Sequence, residues 1–179
     1  MALTRIGRAG RGGKFLACLL IAVSLRAGAA AAQSALPNPA TTPGAIDAQV
    51  TQGNIEQTIC VRGWTRTVRP PEEYTEDLKR RQIAAFGYED GRLGDYEEDH
   101  LIPLELGGAP SDPRNLWPEP HYPADGWGSY AKDRLENRLN ELVCDGELPL
   151  EAARRAIAGD WIAAYRRYIG AVPDNEKLR

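Results

Sequence analysis

Among 179 residues there are three cysteines but no C-x-x-C pair, two histidines, one methionine, and no apolar run long enough to span a bilayer with ease. The missing C-x-x-C spacing argues against a structural zinc knuckle, which takes paired thiolates at that separation. The short apolar runs argue against a transmembrane helix, which takes about 20 such residues. No segment repeats another, so solenoids and propellers drop out. Hydrophobic residues at 42% and charged residues at 26% place the chain among globular proteins, with one modest domain plus extra segments.

What is present begins with a leader. "MALTRIGRAGRGGK" carries arginines and a lysine but no acid, "FLACLLIAVSL" is apolar, and "RAGAAAAQ" supplies small residues of the A-x-A type. That order is the layout of a secretory signal peptide over residues 1–32, with a retained N-terminal anchor as the alternative. Loss of Arg5, Arg8, Arg11, Lys14 and Arg26 leaves 17 basic residues against 25 acidic ones, so the formal charge moves from −3 to −8. An acidic protein does not coat nucleic acid by bulk charge, and any such contact is confined to local basic patches. Export also implies an oxidising compartment, periplasmic or extracellular. There the remaining pair, Cys60 and Cys144, is expected to form a disulfide, with two buried free thiols as the alternative.

"QSALPNPATTPGAIDAQV" has no periodic apolar face, and a flexible linker is expected over 33–53. Alternation in "NIEQTICV" suggests a short strand leading into Cys60. "RPPEEYTEDLKRRQIAAFGY" has a helical pattern, with Thr75 as a possible cap, Leu78, Gln82, Ile83 and Phe86 on one face, and Gly87 as the stop. Tyr96 to His100 and Leu101 to Leu106 are expected as two short strands or extended arms. In "SYAKDRLENRLNELVCDG", Ala131, Leu135, Leu139 and Leu142 share one helical face, with Ser129 as a possible cap and Asp133, Glu136, Asn137 and Asn140 opposite. "PLEAARRAIAGDWIAAYRRYIG" supplies a last helix or broken pair, with Leu150, Ala153, Ile157, Trp161 and Tyr165 inward.

The segment "YEEDHLIPLELGG" raises a chemical question, because Glu97, Glu98 and Asp99 in a row repel one another unless solvated or neutralised. Glu97 and Glu98 fit a solvated edge; Asp99 and His100 have different company. "DHLIPLELGG", followed by "NLWPEP" and a helix, resembles the HNH, or ββα-metal, nucleases, whose pattern is a D-H pair, a Gly-containing hairpin, an N-L pair and a helix. The chain is most similar to small exported bacterial members that also carry "C-x-x-G-W-T" and "KDRLEN…VC-x-G…DW-x-x-AY", a likeness running from about Cys60 to Tyr165. It implies an α+β fold with a ββα-metal core, flanking helices and one disulfide, over 54–170, with 171–179 as a tail.

The resemblance also implies roles. Asp99 would be a metal ligand, His100 the general base, and Asn115 the residue that ties the hairpin loop and orients His100. A further ligand would come from the helix, where Asp133, Glu136 and Asn137 stand in place of the family's commoner His or Asn. Hard oxygen donors suit magnesium first, with manganese or zinc as alternatives. Lys132, Arg134, Arg138 and Arg114 are the candidates for gripping phosphate.

The chemistry fits these residue types. Hydrolysis of a phosphodiester takes a deprotonated water, which an imidazole titrating near neutrality can supply. It also takes neutralisation of an anionic centre, which a divalent cation can supply. The expected function is sequence-nonspecific cleavage of DNA or RNA by a monomer that leaves the membrane once its leader is removed, giving a 5′-phosphate by the family likeness. The alternatives are a non-catalytic binding module on the same scaffold and a hydrolase of another phosphodiester.

Overall fold

Apolar residues recurring at helical spacing are buried where their pattern places them. The computed structural model describes Met1, residues 35–123 and residues 125–170. The chain separates into Met1–Ala31 and Ala32–Arg179. The signal-peptide and C-terminal-tail expectations lie outside the described residues. What is described is α+β, built from helices, a two-stranded antiparallel sheet and one disulfide.

The order is a 3-10 turn at Gln52–Gln57, α1 (Trp64–Val68), α2 (Glu72–Ala85), β1 (Tyr96–His100), a 3-10 turn at Leu104–Leu106, β2 (Leu116–Pro120), α3 (Ser129–Cys144) and α4 (Leu150–Tyr168). The main core lies between α3 and α4. Ala131, Leu135, Leu139 and Val143 meet Ala153, Ile157, Trp161 and Tyr165, and Trp127 closes the end, edge-on to both Trp161 and Tyr165. These are the inward positions expected from 3.6-residue periodicity. Trp117 and Trp161 are fully buried as expected, while Trp64 is half-buried against the same core. α4 breaks at Asp160, whose φ of −160° is extended and whose Oδ1 accepts the N–H of Ala163, so it caps the second half.

Cys60 and Cys144 are bonded, with their α-carbons 5.6 Å apart across a sequence separation of 84. The bridge fastens the end of α3 to the turn before α1. Closing a loop of this length restricts the unfolded chain by about 4 to 5 kcal/mol in the loop-entropy account.

The sheet positions the site. β1 and β2 pair with Tyr96 opposite Pro120, Glu97 opposite Glu119, Glu98 opposite Pro118, Asp99 opposite Trp117 and His100 opposite Leu116. Two prolines survive in β2 because their backbone nitrogens face away from β1, where no ladder bond is lost. On those outward edges α2 supplies side-chain donors instead: Gln82 Nε2 to the Leu116 carbonyl and Lys79 Nζ to the Tyr96 carbonyl.

Several local expectations are corrected. From Ala35 on, the supposed flexible linker is tied down. Ala35, Thr42 and Val50 are buried, Ala35 accepts the indole N–H of Trp161, and Ile46 bridges Gly108. Its apolar residues are sparse because each fills one gap of a surface built elsewhere, which leaves no period to detect. "NIEQTICV" forms 3-10 structure rather than a strand; Asn54 Oδ1 accepts the Thr51 N–H and locks the turn. Neither Thr75 nor Ser129 caps its helix; Pro71 and Gly128 occupy those positions. Leu101 to Leu106 is a tight turn, not a second arm, since Pro103 leads into it and Gly107 ends it at φ +69°. The Gly-Gly pair then fits where no side chain would. A Cβ on Gly108 would fall 1.7 Å from the Ile102 carbonyl oxygen, and one on Gly107 would fall 2.5 Å from Arg154 Nη2.

Candidate active site

Alternation along the strands sorts the acids. Glu97, Asp99 and Glu119 share the face that meets α3, while Glu98 and His100 start on the other. α3 answers with a lysine. Lys132 is fully buried, and its ammonium donates to Asp99 Oδ2 at 2.5 Å, to the His100 carbonyl at 2.8 Å and to Glu136 Oε1 one turn along the helix. Three donors meet three acceptors, so none remains for a substrate. Burial opposes the charge on Lys132, but Asp99, Glu136 and Glu119 outweigh it and its pKa is raised; Asp99 is correspondingly lowered, Lys132 overcoming its burial.

One ammonium does not balance the carboxylates around it. Glu119 is fully buried on the Asp99 face of the sheet, and neither of its oxygens receives a donor. Burial and Asp99 together push it well above the usual carboxylate range.

His100 sits at the end of β1, 4% exposed. Its Nε2 lies 2.8 Å from the Pro110 carbonyl. A carbonyl only accepts, so Nε2 carries the proton and Nδ1 keeps the lone pair in the neutral ring. Burial lowers the pKa against the pull of Asp99 and the carbonyl, which favours the neutral, proton-accepting form near pH 7. Asn115 fixes this arrangement from beneath. Its Oδ1 accepts the Ile102 N–H, its Nδ2 donates to the carbonyls of Ile102 and Ala109, and its own carbonyl accepts the Leu101 N–H. Thus one buried amide holds the chain just after His100 to the chain just before Pro110.

Around this centre lies an acidic mouth. Burial raises Glu97 and Glu105 to about 7, each with help from Asp133, and Asp133 itself to about 6 with help from Asp99. Arg69, just past α1, pulls all three the other way. Burial raises five of the six carboxyls around Lys132 and Arg69, and each one that ionises adds a repulsion that a phosphate overcomes only with further positive charge.

The predicted residues therefore fall into groups. Asp99, His100, Asn115, Lys132 and Glu136 converge, and Asp133 stands at the rim. Lys132 is corrected from a phosphate contact to an internal cation, because burial and three bonds occupy it. Asn137 is exposed and folds back onto the Asp133 carbonyl. Arg134 and Arg138 lie on another face: two residues along a helix turn about 200°, carrying them away from Lys132 and Glu136. They line a separate open groove of about 410 Å³ with Glu141, Tyr168 and Ile169. Arg114 is exposed and forked onto Asp112, at the outer edge of the loop that carries Pro110. Glu98 is no solvated edge: it is buried against α2 with both oxygens unpartnered. Glu119 went unmarked, and only its place two residues after Trp117, opposite Glu97, would have put it on the Asp99 face.

The resident group implied for such a site is a divalent cation. Among the described residues no three His, Cys, Asp or Glu side chains form a ready cage. Magnesium does not require one, because it retains waters and is held through one or two carboxylates together with substrate phosphate. An all-oxygen set with an excess of negative charge and an orphaned buried carboxylate fits that ion. Comparison with known proteins adds nothing further: no family model, no curated protein and no solved structure matches the chain.

Proposed function

We propose that the chain is an exported hydrolase of nucleic-acid phosphodiester bonds, with the strand, strand and helix around His100 forming a ββα-metal core. The observation that carries this reading is an imidazole fixed by the Pro110 carbonyl next to buried carboxyls that outnumber their cations.

Asp99 is the residue that would hold a divalent ion. When bound, such an ion neutralises the phosphoryl oxygens and the departing alkoxide. The protein's own groups do the rest. Nδ1 of His100 takes a proton from water as the water oxygen forms a bond to phosphorus and the ester P–O bond breaks. Pro110 holds the ring tautomer, and Asn115 holds Pro110 and His100 in register. Arg69 and Arg114 are the exposed cations nearest the mouth and its loop, suited to weak, salt-sensitive, sequence-nonspecific phosphate contact.

The test is cleavage of plasmid DNA and of RNA in the presence of magnesium or manganese. His100→Ala is expected to lose at least about a hundredfold in rate, in line with removal of a general base. Undiminished cleavage by that variant would overturn the mechanism.

A second reading has one observation in its favour. Lys132 already pairs with both Asp99 and Glu136 without any added ion, as a scaffold kept for binding alone would require. Such a module would bind nucleic acid without cleaving it under any divalent ion. A small model phosphodiester in the same assay separates a nuclease from a hydrolase of other phosphoesters.

A further inference from the structure

The helix is where the likeness places the second metal ligand, yet none of its candidates is a buried oxygen donor wholly without a partner. Glu136 Oε1 is bonded to Lys132, and Asn137 is exposed with its amide nitrogen on the Asp133 carbonyl. Asp133 stands at the rim, partly exposed. On β2 the situation is the reverse. Glu119 is 0% exposed, neither of its oxygens meets a donor, and it shares the strand face of Asp99. The register explains this: Asp99 pairs with Trp117, so Glu119 is its diagonal neighbour on the same face, a distance long side chains cross.

We infer that Glu119, from the second strand rather than from the helix, is the partner of Asp99 in binding the divalent cation. Lys132 and Glu136 then form a positioning pair. Lys132 holds Asp99 through Oδ2, leaving its other oxygen for the ion, and it holds the His100 backbone so that the imidazole stays at a fixed offset from that ion. Two carboxylates plus water make the sparse, oxygen-only set that magnesium and manganese accept, with positions left for phosphate. A buried carboxylate without a donor is costly as an anion, and a cation shared with Asp99 removes that cost. The inference rests on the hydrolase reading for the ion's role, but its test does not depend on cleavage.

The experiment is manganese titration of the full chain, followed by the electron paramagnetic signal of free manganese and by the rise in melting temperature. Wild type is expected to bind and to melt higher with the ion. Glu119→Gln and Asp99→Asn are expected to lose at least about tenfold in affinity and most of the melting shift. Asp133→Asn is expected to stay within about threefold of wild type, short of the loss that removal of a ligand causes. Glu119→Gln keeps the shape of a side chain that lacks a donor, and its melting transition without metal reports that it has folded; Glu119→Asp, which keeps a carboxyl, is expected to retain part of the binding. Wild-type affinity in Glu119→Gln overturns the inference, as does loss of binding in Asp133→Asn with binding kept in Glu119→Gln. A wild type that binds no manganese overturns it as well, leaving Asp99 and Glu119 with a shared proton only. Intact plasmid alongside a Glu119-dependent manganese signal would instead sink the nuclease reading and leave this one standing.

Discussion

The ammonium of Lys132 lies 2.5 Å from Asp99 Oδ2, and the two are joined across the boundary between the hairpin and α3, the lysine fully buried. Such a pair is expensive to break from one side, because the survivor is a buried charge with no partner. Lys132→Met is therefore expected to lose about 3 to 5 kcal/mol of stability, read by urea denaturation. In a double-mutant cycle with Asp99→Asn, the second change should cost much less than it does alone. Additive losses would show that the two groups do not act on each other.

Asn115 makes three side-chain bonds, two of them to the backbone of Ile102. Asn115→Ala leaves a buried N–H and carbonyls without partners, at about 1 to 3 kcal/mol for each orphaned group. Asn115→Asp keeps the acceptor but sets a carboxylate against two carbonyls, and should be at least as damaging. Cleavage is expected to fall in both variants even below their melting range, because the Pro110 carbonyl no longer holds the His100 ring. Full activity in a folded Asn115→Ala would remove that positioning role.

Gly108 is expected to reject even alanine. A Cβ there meets the Ile102 carbonyl oxygen at 1.7 Å and Asn115 Nδ2 at 2.8 Å, so the loop that carries Pro110 must open. Gly108→Ala should yield little folded protein on expression. At Gly87, which has φ +72° and nothing near a Cβ, alanine should cost only backbone strain of about 1 kcal/mol. Similar stability in the two variants would contradict the close approach.

Stability should fall as pH rises towards 8. Burial, then Asp99, raise Glu98 from 4.5 to about 8, against Lys79 and Arg81 of α2, with Glu76 adding to the rise and Tyr88 also near. Between those values the folded state holds a proton that the unfolded state has released, so each step up in pH favours unfolding. Glu98→Gln is expected to flatten the dependence and to gain on the order of 2 kcal/mol at pH 8, with little change at pH 5. Melting curves across that window check it. A melting temperature that rises with pH would show the carboxyl to be ionised in the fold.

Reduction of Cys60–Cys144 should lower stability by about 4 kcal/mol, with the larger share acting through the unfolded chain. Denaturation with and without reductant measures it directly. An unchanged midpoint would mean that packing of α3 on α4 alone fixes the α3 terminus.

The parts legible in the amino-acid sequence are those in which one residue's environment follows from its near neighbours. α2, α3 and α4 came from spacing, since a helix shows its apolar face at every third and fourth position. The Asp99-His100 strand end and the loop residue Asn115 came from a short pattern, because both belong to one hairpin. The bond between Cys60 and Cys144 followed from counting. What only the tertiary structure decided involves partners far apart in the chain. The segment from Ala35 to Val50 looks like a linker because its few apolar residues fill gaps made by α4 and the Leu104–Leu106 turn. Glu119 stands between two prolines with no local mark, and becomes notable only when the strand register turns it towards Asp99. Lys132 looked like a surface cation, yet it neutralises acids from another element, and no periodicity in α3 shows which charge on a polar face will be covered. Charge is screened or decisive according to how much water remains around it, and that depends on the packing of distant segments.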